Sequence, residues 1–90
     1  MGNDYLETWY NIFMPIHFSE HAIDQLKKRR ISRKSIIQTI KGPDEIIASF
    51  KNRKLRRTLN NGRILQVITV TEGSRITVIT VYFVRRKYEN

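Results

Sequence analysis

The spacing of apolar positions changes near residue 44, from intervals of three and four to an alternation of two. That change separates a helical first half from a strand-forming second half. Residues 1–14 carry Tyr5, Leu6, Trp9, Tyr10 and Phe13 at helical spacing, which predicts a short helix or an N-terminal extension that docks on the domain or on a partner; Met14 is an alternative start. After an extended piece at 16–18, Ser19 is a good N-cap for a helix over 20–29, with Phe18 and Ile23 placed as a hydrophobic staple. Ile31, Ser32 and Ile36 repeat the device and predict a second helix over 33–41, which Gly42 and Pro43 end.

From residue 45 onward, four segments rich in Ile, Val, Thr, Phe and Tyr, at 45–50, 54–60, 63–71 and 75–84, predict strands. Asn61-Gly62 is the strongest hairpin signal, because a type I′ turn needs positive φ at both central residues. Glu72-Gly73 is a weaker one. The chain therefore predicts an α+β fold, with two N-terminal helices on one face of a twisted antiparallel sheet of about four strands, forming a single domain over 15–90. Alternation sorts the sheet into a face with Leu55, Leu59, Ile64, Ile68, Val70, Ile79, Val81 and Phe83, broken only by Arg57, Gln66 and Thr77. This face is expected to receive the helices. The other face, with Arg56, Thr58, Leu65, Val67, Thr69, Val78, Thr80 and Tyr82, is expected to face solvent.

Charge adds a functional direction. The 90 residues hold 17 Lys and Arg against 8 Asp and Glu, a net +9, yet residues 1–26 contain no cation. The cations cluster at 27–34, 51–57 and 85–87, and clustered charge of one sign attracts polyanions, with nucleic acid as the leading partner. With no cysteine and two histidines lacking paired carboxylates, no metal or other cofactor is expected. The absence of a long apolar run and of a basic signal start predicts a cytoplasmic protein without membrane attachment.

On the first helix, Ala22, Ile23 and Leu26 define a buried side, and His21, Gln25, Lys28 and Arg29 share an adjoining flank. A solvent-facing imidazole beside cations is suited to proton transfer at neutral pH. Arg33 and Lys34 break a local rule, since the macrodipole disfavours cations in a first helical turn by about 0.3–1 kcal/mol each. With Ser32, Ser35 and the free amides they predict a phosphate seat.

The order Phe18-Ser19-Glu20-His21-Ala22, then Arg29, then Ile31-Ser32, then Val78-Ile79-Thr80-Val81-Tyr82 resembles the domain of unknown function 4258 family, over residues 16–82. That family is grouped with the RelE/ParE-like toxins and with metal-independent ribonucleases of the barnase, colicin and RelE type. The resemblance implies a RelE/ParE-like fold and a toxin of a toxin-antitoxin system, with a cognate antitoxin as partner and RNA, free or on the ribosome, as substrate. His21 matches the family histidine, Arg29 its helical arginine, Arg56 or Arg57 the arginine entering the hairpin, and Thr80 and Tyr82 the last-strand pattern. Arg30 departs from the family's frequent Gly, so the first helix must end in another way.

As a ribonuclease, such a protein would remove the 2′-hydroxyl proton, let that oxygen attack the phosphorus and protonate the leaving 5′-oxygen. His21 is the natural base or acid. Arg29 with Arg56 or Arg57 would stabilise the phosphoryl charge, and Tyr82 would serve proton transfer or base stacking. Lys27, Lys28, Arg30, Ser32, Arg33, Lys34 and Lys54 are the expected nucleic-acid contacts. His17 competes with His21 but, lying before the cap, is expected to pack or hydrogen-bond there. Two rival readings are a nucleic-acid-binding module without catalysis and a toxin acting by protein contact, as in gyrase inhibition.

Overall fold

A computed structural model describes residues 5–10, 15–60 and 62–84. Phe13, Met14, Asn61 and the cations at 85–87 lie outside them. The elements run β1 (Tyr5–Tyr10), β2 (Pro15–Ser19), α1 (Glu20–Arg29), α2 (Arg33–Lys41), β3 (Glu45–Ala48), β4 (Arg53–Asn60), β5 (Arg63–Glu72) and β6 (Arg75–Val84). They form one six-stranded sheet in the order β1-β2-β6-β5-β4-β3. Neighbours are antiparallel except β2 and β6, which pair in parallel through Ile16–Ile76, His17–Thr77 and Phe18–Val78.

This corrects the expected architecture. The four strands after residue 44 are present, but two more precede the helices, so the sheet has six strands, is mixed, and draws strands from both ends of the chain. Residues 5–10 form a strand, and no helix precedes α1 among the described residues. Their aromatic spacing fits a helix face, but aromatic residues also favour strands. Pairing of Trp9 with Ile16 and Thr8 with His17 decides for a hairpin.

The helices also cover the other sheet face. Leu65, Val67 and Val78 are fully buried with Ile16 and Phe18 of β2, while Leu59, on the face expected to be covered, is 56% exposed. The reason is a register shift. Near its turn, β6 pairs with β5 as Val70–Thr77 and Thr69–Val78, but the next pair is Ile68–Thr80, so Ile79 is an extra residue in β6. A bulge of this kind exchanges the two faces of everything beyond it. Val81 and Phe83 thereby join Ile76 and Val78 under the helices, and Thr80 and Tyr82 turn to the face that carries no helix. Without the extra residue, the upper half of β6 would offer Thr80 and Tyr82 to the core.

The helices begin and end as their local chemistry dictates. Ser19 Oγ accepts from the Ala22 amide (3.1 Å) and donates to the Ile79 carbonyl (3.2 Å), fixing the start of α1 to the bulge. Ser32 Oγ accepts from the Ser35 amide at 3.0 Å. Arg30 ends α1 in the left-handed conformation (φ 57°, ψ 46°), with its amide on the Lys27 carbonyl and the Ile31 amide on that of Leu26. That is a Schellman cap, and Leu26 and Ile31, both buried, supply its hydrophobic contact. The helix thus ends where a glycine would end it, with an arginine bearing a backbone cost of about 1–2 kcal/mol.

Turns set the hairpins. Asn60 pairs with Arg63 across a two-residue loop in which Gly62 has φ 80°. Glu72 pairs with Arg75, so the second turn is Gly73-Ser74, with Gly73 at φ 61°. Between β3 and β4, Lys51 and Asn52 both take positive φ (58° and 61°), and Arg53 donates to the Phe50 carbonyl at 3.2 Å.

The core lies between the helices and β2, β6 and β5, built on Phe18, Ile16, Leu65, Val67, Val78 and Val81, with Ala22, Ile23 and Leu26 from α1 and Ile36 and Ile40 from α2. Burying each large side chain contributes about 1.5–3 kcal/mol. The edge strand β1 is tied to α2 by Arg33, whose Nε and Nη2 donate to the two Glu7 carboxylate oxygens at 2.5 and 2.6 Å. This hydrogen bond raises the Arg33 pKa above the ordinary arginine value.

Two outcomes follow. In chemical denaturation, Arg30→Gly should be more stable than Arg30→Ala by about 1 kcal/mol, since both lose the side chain and only glycine takes positive φ without strain. Glu7→Gln should cost about 1 kcal/mol and speed amide exchange in β1 more than in β5.

Candidate functional site

Two groups of polar side chains meet at β6. The first belongs to α1. His21, Gln25 and Arg29 are spaced one turn apart and share a flank because Ala22, Ile23 and Leu26 turn the other side into the core. His21 is exposed. Arg29 Nη1 donates to Gln25 Oε1 and, at 3.4 Å, to the Val81 carbonyl. Pairing with β2 ends at Val78, so Arg29 and Ser19 act on β6 beyond the stretch that β2 covers. A guanidinium held through Nη1 lies two turns from a solvent-facing imidazole. Lys27, Lys28 and Arg30 beside it are exposed.

The second group lies on the helix-free face and follows from the register. Tyr82, Gln66, Arg57 and Glu45 are direct cross-strand partners on β6, β5, β4 and β3. Gln66 Nε2 donates to the Tyr82 hydroxyl at 2.5 Å, Arg57 Nε donates to Gln66 Oε1 at 2.5 Å, and Arg57 Nη1 lies 3.5 Å from Glu45 Oε1. Gln66 is 3% exposed. Apolar residues flank this polar row, Leu59 and Ile64 on one side and Leu55 and Ile68 on the other. At the β3 end, Asp44, Glu45, Arg57, Thr58, Leu59 and Ile64 line a shallow cleft of about 200 Å³.

The adjacent arginines therefore have different duties. Arg56 points to the helices, is 9% exposed, and donates to Thr69 Oγ1 (3.0 Å) and to the Ile40 carbonyl (3.3 Å). It neutralises the C-terminal end of α2, where a cation is favoured. Burial lowers its pKa from the ordinary arginine value, and an arginine stays charged at neutral pH even so. No carboxylate pairs with it among the described residues. Thr58, next on the same face, shares a 2.7 Å hydroxyl contact with Thr39 of α2.

The expected site residues separate accordingly. The fold puts His21 and Arg29 on one flank of α1, two turns apart, and links Arg57 to Tyr82 through Gln66. It places these pairs on opposite sides of the sheet, and Arg29 reaches the carbonyl preceding Tyr82. Thr80 lies one row from Tyr82, opposite Ile68. At the expected phosphate seat, Arg33 is engaged by Glu7, and Ser32 Oγ caps α2 and donates to Ser35 Oγ at 2.9 Å. Lys34 and Lys54 are exposed. His17 is half-buried opposite Thr77 on the helix-free face. Among the described residues no three His, Asp or Glu side chains converge as a metal site, and no helix is long and apolar enough to cross a membrane.

Gln66 and Glu45 were not expected as site residues. The signal was present for Gln66: with Arg57 it interrupts an otherwise apolar strand face, and the two occupy paired positions.

Replacing Arg56 with Ala should lower stability by about 2–3 kcal/mol in urea denaturation, because it leaves the Ile40 carbonyl and Thr69 short of a donor and opens a cavity. Arg29→Ala, at the surface, should stay within about 0.5 kcal/mol of the parent.

Residues 18–83 match the profile of a family described as Domain of unknown function (DUF4258). No curated protein and no solved structure matches the chain significantly.

Proposed function

The chain belongs to that family, and we propose that it is an RNA-binding toxin of RelE/ParE type that cleaves its substrate without a metal and is held in check by a cognate antitoxin. The observation that carries this reading is the α1 flank, where exposed His21 shares a stripe with an Arg29 anchored by Gln25 and Val81. Both bonds leave from Nη1, which leaves the rest of the guanidinium to a phosphoryl oxygen and reduces the cost of ordering the side chain when the strand binds. His21 acts as the proton-transfer group for the 2′-hydroxyl or for the leaving 5′-oxygen. Lys27, Lys28 and Arg30 hold the flanking phosphates, with Lys34 at the start of the next helix.

A second reading, binding without cleavage, is favoured by the commitment of Arg56 to the core and by the placement of Arg57 and Tyr82 across the sheet from His21. One comparison separates the two. His21→Ala should leave affinity for single-stranded RNA unchanged and reduce cleavage by about 100-fold or more, and it should relieve any toxicity of the wild type on expression. RNA bound but uncleaved by the wild type, with or without ribosomes, would sink the catalytic reading. Lys28→Ala should weaken binding to all sequences alike and flatten the salt dependence by about one unit of log–log slope or slightly less.

A further inference from the structure

The row on the helix-free sheet face has a fixed hydrogen-bond direction. An arginine side chain has only donors, so Arg57 Nε requires the oxygen of the Gln66 amide on its side. The Gln66 nitrogen must then face Tyr82, and an amide nitrogen only donates. The Tyr82 oxygen is the acceptor of that bond, and its own proton is left to point elsewhere. Gln66 is almost wholly buried, so its amide cannot turn over without breaking both bonds. Arg57, for its part, uses Nε on Gln66 and has Nη1 beside Glu45, while Nη2 has no partner among the described residues.

From this we infer that Gln66 is a positioning residue, which fixes the Tyr82 phenol as an outward hydrogen-bond donor and makes it, with Arg57, a site for a phosphate group on the helix-free face. Both residues are only partly buried, and they stand on either side of Gln66, so an oxyanion above the buried amide meets a phenol proton from one side and a guanidinium from the other. On β4 and β5 the flanking rows are apolar, Thr80 adds a hydroxyl beside Tyr82 on β6, and Glu45, whose side chain is 57% exposed, is the counter-charge such an anion displaces from Arg57. The inference rests in part on the reading above, since phosphate is the group an RNA strand would bring. It places that contact on the opposite side of the sheet from His21, so one strand would have to pass the β6 edge to use both.

A double-mutant cycle on the full chain tests it: Gln66→Met, which conserves volume, Tyr82→Phe, and both together. Each protein is titrated by NMR with inorganic phosphate and, separately, with a single-stranded DNA oligonucleotide, which lacks the 2′-hydroxyl and resists this cleavage. Phosphate should move the Tyr82 ring signals and the Arg57 side-chain N–H signals of the wild type. Either single substitution should weaken that binding about 10-fold, and the double variant should lose less than the product of the two single effects, because Gln66 acts through the phenol as well as through Arg57. A purely structural role for Gln66 would lower the melting temperature without this coupling. Phosphate that leaves both sets of signals unmoved, or substitutions whose effects multiply, overturns the inference. If phosphate binds as described and the oligonucleotide moves neither set of signals, the site stands as one for free phosphate and the strand's contact is confined to the α1 flank.

Discussion

One extra residue in β6 governs the arrangement of this molecule. The bulge opposite Ile68 and Thr69 lets Ile76 and Val78 share a face with Val81 and Phe83, though odd and even positions would otherwise alternate along the strand. That gives α1 an apolar surface along the whole of β6. The same shift carries Tyr82 across the sheet into line with Gln66 and Arg57. Ser19 is bonded to the carbonyl of the extra residue itself, so the cap that starts α1 and the break in register hold each other in place. Core, helix placement and polar row are thus consequences of a single local irregularity.

The parts of the fold that depend on neighbours in sequence were legible in it. Caps at Ser19 and Ser32 and the hairpin that Asn60 and Arg63 close each rest on a few adjacent residues and occur where their chemistry puts them, and the staple residues Phe18, Ile23, Ile31 and Ile36 are all buried. The N-terminal hairpin was not legible, because its aromatic spacing suits a helix face and a strand equally. The bulge carries no glycine to announce it, and parallel pairing of 16–18 with 76–78 joins residues too distant for any periodicity to reveal. The candidate site was divided in the same way. Neighbours on α1 were readable as a flank, whereas alternation separated Arg56 from Arg57 but assigned the helices to the face of Arg57, when they cover that of Arg56.

The basic composition also serves two ends. Arg56 and Arg33 are absorbed into the architecture, one at the C-terminus of α2 and the other clamping β1. Arg33 looked anomalous in a first helical turn only because its carboxylate partner lies 26 residues away. Among the described residues, what remains for a partner is the exposed set: Lys27, Lys28, Arg29, Arg30 and Lys34 around the α1–α2 junction, Lys41 at the end of α2, Lys51 and Lys54 at the β3–β4 hairpin, and Arg63 at the start of β5. Arg30 and Lys51 hold their charge in a backbone conformation that glycine would occupy without strain.

The parallel pairing of β2 with β6 has a consequence for how the chain is made. Ile16 and Phe18, among the most buried residues of the core, have their sheet partners sixty residues later, in the last strand described. During synthesis the N-terminal hairpin and both helices emerge well before the strand that shelters them, and their apolar faces must wait. Closing so long a loop late makes for slow folding and for intermediates open to proteases and to wrong partners. A nascent chain stopped short of residue 76 lacks the centre of its sheet, so translation must pass residue 78 before β2 gains its sheet partner in β6.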